Sequence, residues 1–136
     1  MLSKGVVKIG DFGFAKKNIT KRIKNATSVG TPLYMPLQIL KSEPYTSKCD
    51  VWAVGFIFYE LLHNKTPWTA HTEFELVKNI ETKPVKINPN FRPETQDFIN
   101  KCLNIHEESR IGWDQVFLHP VFKGYFNQYA LQNQQF

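Results

Sequence analysis

The sequence predicts a mainly α-helical fold with one short β-hairpin at its N-terminus. Three observations carry that prediction. A run from Val51 to Leu62 is apolar over 12 positions, interrupted only by Glu60. Two later segments, 72–82 and 93–103, repeat apolar residues at helical spacing and open on helix-start signals. Near the N-terminus, Met1-Leu2 and Val6-Val7-Lys8-Ile9 flank Ser3-Lys4-Gly5, the pattern of two strands around a tight turn. The chain has 136 residues, enough for one domain at most or for part of a larger one.

Each element has a local cause. Residues 14–31 are polar and basic without periodicity, so they read as a loop. Pro32 and Pro36 keep the next stretch irregular. Thr46 or Ser47 can cap a helix, and Asp50 sits three positions after Ser47, close to a capping-box arrangement. That helix spans 48–63 and is apolar nearly all round, which calls for burial on every side. Asn64-Lys65-Thr66-Pro67 ends it. In the helix over 72–82, Phe74, Leu76, Val77 and Ile80 mark the apolar side, and Pro84 and Pro89 then break the chain. Pro93 suits a first helical position, with Glu94 and Asp97 favouring the helix dipole. Phe98, Ile99, Cys102 and Leu103 supply its buried stripe. A short helix over 113–118 follows, and Pro120 separates it from a last turn.

Composition excludes several classes. Apolar residues make up 42% and aromatics 14%, far more core material than a disordered chain carries. The net charge of +5 raises nucleic acid as a partner, but its distribution argues against one. Seven basic residues and one acid fall in residues 1–31, and the remainder is close to neutral. The excess is one segment, not a basic face with interleaved aromatics, so no nucleic acid is expected. Cys49 and Cys102 stand 53 positions apart, which reads as two reduced thiols in an intracellular, cytoplasmic protein. The four histidines lack metal-ligand spacing, and His106-Glu107-Glu108 reads as a solvated helix start. No secretory signal run is present, and the longest apolar stretch is too short for a membrane span.

Asp11-Phe12-Gly13 follows directly on a strand; in isolation such a tripeptide is only a strand-end turn. Gly30-Thr31-Pro32-Leu33-Tyr34-Met35 comes next, then Asp50-Val51-Trp52-Ala53-Val54-Gly55, then Arg110, then His119-Pro120-Val121-Phe122. This ordered series resembles the C-terminal lobe of a eukaryotic protein kinase, of serine/threonine type. The resemblance covers residues 1–125 as a partial kinase domain, with an activation segment over 11–38 and a helical subdomain over 39–125. Residues 126–136 are a Gln/Asn-rich tail. The details look closest to unc-51-like (autophagy-initiating) and calcium/calmodulin-dependent kinases.

The resemblance implies ATP and Mg²⁺ as cofactors and a protein Ser/Thr side chain as substrate, with another kinase or a regulatory protein as a further partner. Phosphoryl transfer is mostly positioning and charge neutralisation, so a carboxylate must hold Mg²⁺ against the phosphates. Asp11 takes that role. Phe12 packs beneath it, and Gly13 permits the backbone turn. Thr27 is the implied activation-loop phosphosite, with Ser28 and Thr20 as alternatives. Lys16, Lys17, Lys21, Arg22 and Lys24 are available to pair with its phosphate, although any single lysine there reads better as solvated. Gly30, Thr31, Pro32, Leu33 and Tyr34 position the substrate, Pro32 and Leu33 lining an apolar pocket. Asp50 is expected to accept backbone hydrogen bonds from the catalytic loop, or else simply to favour the helix dipole. Trp52 and Gly55 are packing residues.

Two departures matter. The 136 residues contain no Gly-rich loop, no strand lysine of V-A-I-K type and no H-R-D. Met1-Leu2 falls where the strand after the catalytic loop ends, so the chain is expected to be inactive alone and marginally stable. A non-catalytic, kinase-like interaction module is the competing reading. The second departure is Gln38, which stands where the family has the Glu that pairs with the late arginine, here Arg110. Removing one partner of a buried pair costs roughly 3–5 kcal/mol, and an amide that still accepts a hydrogen bond lowers that cost. Glu107, Glu108 and Asp114 are the carboxylates nearest Arg110 in sequence.

Overall fold

A computed structural model describes residues 2–3, 6–10, 12 and 31–123. Asp11, Gly13, Thr27, Gly30, the basic cluster from Lys16 to Lys24 and the Gln/Asn-rich tail lie outside the described residues.

At the N-terminus, β1 (Leu2–Ser3) and β2 (Val6–Val7) pair antiparallel, with Leu2 opposite Val7 and Ser3 opposite Val6. The other regular elements among the described residues are helical. Pro32–Tyr34 forms a 3-10 turn, and α1 (Leu37–Leu40) follows it. The two prolines therefore start short helical turns instead of leaving the stretch irregular. Each fixes φ near a helical value and its missing N–H costs nothing at a helix start. Then come α2 (Lys48–His63), α3 (Glu73–Thr82), α4 (Pro93–Cys102), α5 (Trp113–Phe117) and a 3-10 turn over Pro120–Phe122.

Local chemistry sets the ends. At the start of α2, Thr46 Oγ1 accepts the Lys48 N–H at 3.2 Å, while Ser47 makes no side-chain cap. The helix ends on Asn64 in the left-handed region (φ 52°), which Asn tolerates, and the Asn64 N–H closes on Glu60 O at 2.8 Å. Thr72 caps α3 by accepting the Glu75 N–H at 3.1 Å.

The long helix α2 is the pillar. One side buries Trp52, Phe56 and Tyr59 against Trp68, Leu76, Ile80, Ile99 and Leu103. Another buries Val51 against Phe98, Cys102, Ile111, Val116 and Val121. Full burial of each large apolar side chain contributes about 1.5–3 kcal/mol. Burial of α2 is incomplete along one stripe. Ile57 is 49% and Leu61 78% exposed, with Leu62 beside them, and no described element covers them. Phe74 also departs from expectation, at 81% exposed. It lies about 140° around α3 from the face centred on Leu76 and Ile80, too far to reach the core.

Gly55 sets how closely α2 and α4 approach. A Cβ on Gly55 would stand 2.4 Å from Cys102 Cβ, an atom fixed to the α4 backbone. The helices would have to separate. Gly55→Ala is therefore expected to destabilise the fold by about 1–3 kcal/mol, measured by chemical denaturation. An unchanged or raised midpoint would show that the helices do not cross as tightly as described.

Candidate functional site

The site residues fall into two groups joined by α2. The first is the segment before α1. Thr31 precedes proline and is extended (φ −78°, ψ 117°), as the proline ring requires of its neighbour. It is exposed, as is Pro32. Leu33, by contrast, is half-buried against the main core. Tyr34 is the anchor. Its hydroxyl donates to Glu60 Oε2 at 3.1 Å, and its ring meets Phe56 edge-on at 4.9 Å between centroids. That hydrogen bond to the carboxylate holds the Tyr34 pKa above its ordinary value. Glu60 was therefore legible in principle. It is the one carboxylate in an apolar run, and a charge placed there needs a partner.

The second group surrounds Arg110, a guanidinium only 1% exposed. Nε donates to Asn104 O at 3.0 Å, Nη1 to Lys48 O at 3.1 Å and Nη2 to Gln38 Oε1 at 3.3 Å. Its carbon lies 5.0 Å from the centroid of the Trp52 ring, a cation–π arrangement. Burial pulls the Arg110 pKa down to about 10, opposed by the charge of Glu107, so the group stays cationic at neutral pH. No carboxylate oxygen lies within ion-pair distance of it among the described residues. Gln38 acts as a relay instead. Its Oε1 accepts from Arg110 while its Nε2 donates to Glu107 Oε1 at 3.1 Å.

Glu107 corrects the reading of His106-Glu107-Glu108 as a solvated helix start. Residues 106–110 form a turn, and Glu107 is 8% exposed with its carboxylate turned inward. Asn104 Oδ1 takes the His106 N–H at 3.0 Å, and the Glu107 carboxylate also accepts the Thr46 N–H at 2.9 Å. Lys48, which the motif reading missed, closes the turn. Its ammonium donates to Glu107 O and Glu108 O, both at 3.1 Å, and to Arg110 O at 2.6 Å. Lys48 and Arg110 thus each donate to the other's carbonyl. The spacing of these residues along the chain gives no signal for this; only the fold brings them together.

Trp52 is fully buried and stacks on Trp68 at 5.5 Å between centroids with the rings 2° from parallel. Its indole N–H has no hydrogen-bond partner among the described residues. Asp50, in the first turn of α2, is exposed, and its carboxylate accepts from the Cys49 thiol at 3.8 Å. Phe12 is exposed. Both cysteines are free, and burial pushes each thiol up to about 12, so neither is a thiolate nucleophile at neutral pH. No group of His, Cys, Asp or Glu among the described residues could hold a metal ion. An Asp carboxylate is suitable hard-cation chemistry, but Asp11 lies outside the described residues.

The relay makes an unusual prediction about restoring the family's Glu. Gln38→Glu places a carboxylate where an amide now donates to Glu107, so two buried carboxylates would face each other. The substitution is expected to lower stability by about 1–2 kcal/mol, even though it offers Arg110 a direct ion pair. Adding Glu107→Gln should recover most of the loss in a double-mutant cycle. A Gln38→Glu chain more stable than the parent in denaturant titration would contradict the relay.

Comparison with known proteins gives the family. The family model described as the protein kinase domain matches residues 1–122. Serine/threonine-protein kinase TIO of Arabidopsis thaliana is 34% identical over 118 residues, covering 87% of this chain and 9% of that protein. Serine/threonine-protein kinase atg1 of Dictyostelium discoideum is 37% identical over 114 residues, covering 84% of this chain and 17% of its own length. The G2-specific protein kinase nimA of Emericella nidulans is 36% identical over 132 residues, 96% of this chain and 19% of that protein. The chain thus spans less than a fifth of each of these three relatives. On the family match and the architecture around α2, the chain belongs to the eukaryotic protein kinase family, in its serine/threonine branch, and forms part of the domain's C-terminal lobe.

Proposed function

We propose that this chain is the substrate-side portion of a serine/threonine protein kinase domain, acting in ATP-dependent phosphoryl transfer to protein hydroxyls. The observation that supports the reading most is the double anchoring of one short segment. Tyr34 ties its front to α2 through Glu60, and Gln38 ties its end to Arg110 and Glu107. Just ahead of these anchors Thr31 and Pro32 stand exposed, where a peptide beside the reacting hydroxyl would lie. Phosphoryl transfer gains most of its rate from such positioning. Thr31 instead of a tyrosine-kinase pattern favours Ser or Thr as acceptor. On this reading Asp11 would hold Mg²⁺, which supplies neutralisation of the phosphate charge, and Phe12 and Gly13 shape the turn around it. Thr27 would be the phosphosite that orders the loop through its neighbouring cations.

The catalytic base belongs to an H-R-D loop that the 136 residues do not contain, so the chain alone is expected to transfer no phosphate. Glu60, Gln38 and Arg110 are positioning residues in this scheme. Free thiols at Cys49 and Cys102 suit a reducing, cytoplasmic setting, and no described helix is long and apolar enough to cross a membrane. The strip of Ile57 and Leu61 left open on α2 favours the competing reading, a docking module without catalysis.

One experiment separates the two. The chain alone, and the chain fused behind the N-terminal portion of a homologous kinase carrying the base and the strand lysine, are assayed for Mg²⁺-dependent radiolabel transfer to a basic protein. The enzyme reading expects no transfer by the chain alone, Ser/Thr labelling by the fusion, and loss of that labelling with Asp11→Asn. A well-folded fusion that transfers nothing, or that labels tyrosine, would overturn it.

A further inference from the structure

Two cavities of about 270 and 390 Å³ adjoin at one end of α2 and share a wall made by Lys65 and Lys86. Lys83 lines the first as well. No Asp or Glu lines either cavity, and the three lysines make no ion pair among the described residues. A separate cavity beside Gln38 is mostly acidic, lined by Glu43, Glu81, Glu107 and Glu108 with Lys41 paired to Glu81. Charge is therefore segregated on this surface, and three like charges are held together without a counter-charge.

The wall carrying these lysines is built, not incidental. Tyr59 Oη donates to Lys86 O and Trp68 Nε1 donates to Lys83 O, each at 2.9 Å. Two aromatic side chains from the core thus clamp the backbone from which two of the lysines project. The opposite wall is held by Asn79 Nδ2 donating to Thr69 O at 2.8 Å and Thr66 Oγ1 donating to Trp68 O at 2.9 Å. In the second cavity, His63 Nδ1 donates to Tyr59 O at 3.0 Å and its Nε2 accepts the Asn88 N–H at 3.1 Å. Leu62, Ile87 and Phe91 supply apolar surface there.

We propose that this double cavity is a docking groove for an Asp/Glu-rich peptide segment of a partner protein. The lysines are distributed along two cavities instead of gathered around one point, so they match several carboxylates on an extended segment better than one phosphate group. Apolar side chains between the charges match the alternate side chains of such a peptide. The groove is independent of phosphoryl transfer and stands whether or not that function holds.

The test is fluorescence anisotropy of the full 136-residue chain with a labelled Glu/Asp-rich decapeptide, at low salt and at about 150 mM salt. Binding is expected, weakening with salt. Lys65→Glu/Lys83→Glu/Lys86→Glu should weaken it at least about tenfold, and Lys78→Glu, which lines neither cavity, by less than about twofold. The triple Lys→Gln variant serves as the neutral control, and circular dichroism verifies that each variant is folded. Three results overturn the proposal. One is no binding at low salt. Another is undiminished binding by the folded triple variants, which would assign it to the basic segment around Lys21. The third is an oligonucleotide of equal charge binding as tightly through the same lysines.

Discussion

A buried guanidinium must have its donors satisfied, and Arg110 imposes that requirement on three separate stretches of chain. Its three hydrogen bonds reach Asn104, Lys48 and Gln38, and its face lies against Trp52. An uncompensated buried cation costs several kcal/mol, so none of these contacts is independent of the others. The 106–110 turn, the first turn of α2 and the short α1 are bound into one unit around it. Glu107 balances the charge at one remove, through the Gln38 amide. This arrangement carries the end of the segment that bears Thr31 and Pro32 onto the α2 scaffold.

The pillar helix distributes that order. Trp52 touches Arg110 with its ring and stacks on Trp68. Trp68 in turn fixes the carbonyl of Lys83, and Tyr59, two turns further along α2, fixes that of Lys86. A chain of packed aromatics therefore links the Arg110 cluster to the lysine-lined groove. Gly55, between Trp52 and Tyr59, lets α4 approach closely enough to seal the second core cluster.

Much of this was legible in the residues. The spans of α2, α3 and α4 follow from apolar periodicity and from Thr72, Asn64 and Pro93 at their ends, because those signals act locally. The buried stripe of Phe98, Ile99, Cys102 and Leu103 is as expected. What was not legible depends on tertiary partners. Glu107 looks like a solvated acid until Thr46 and Gln38 arrive from about 60–70 residues away. Lys48 looks like an ordinary exposed lysine, yet it closes a turn through three carbonyls. Leu61 looks like a core residue by composition, and only the placement of neighbouring elements leaves it exposed. The ordered motifs identified the family, while the relay by Gln38 is specific to this chain's three-dimensional arrangement.

The central claim is that Arg110 couples α1, the start of α2 and the 106–110 turn into one cooperative unit. Native-state amide hydrogen exchange of Arg110→Met, compared with the parent, tests it most directly. The account predicts that 37–50 and 104–111 lose protection together, while α4 keeps most of its own. Loss confined to 104–111, with 37–50 as protected as in the parent, would contradict it.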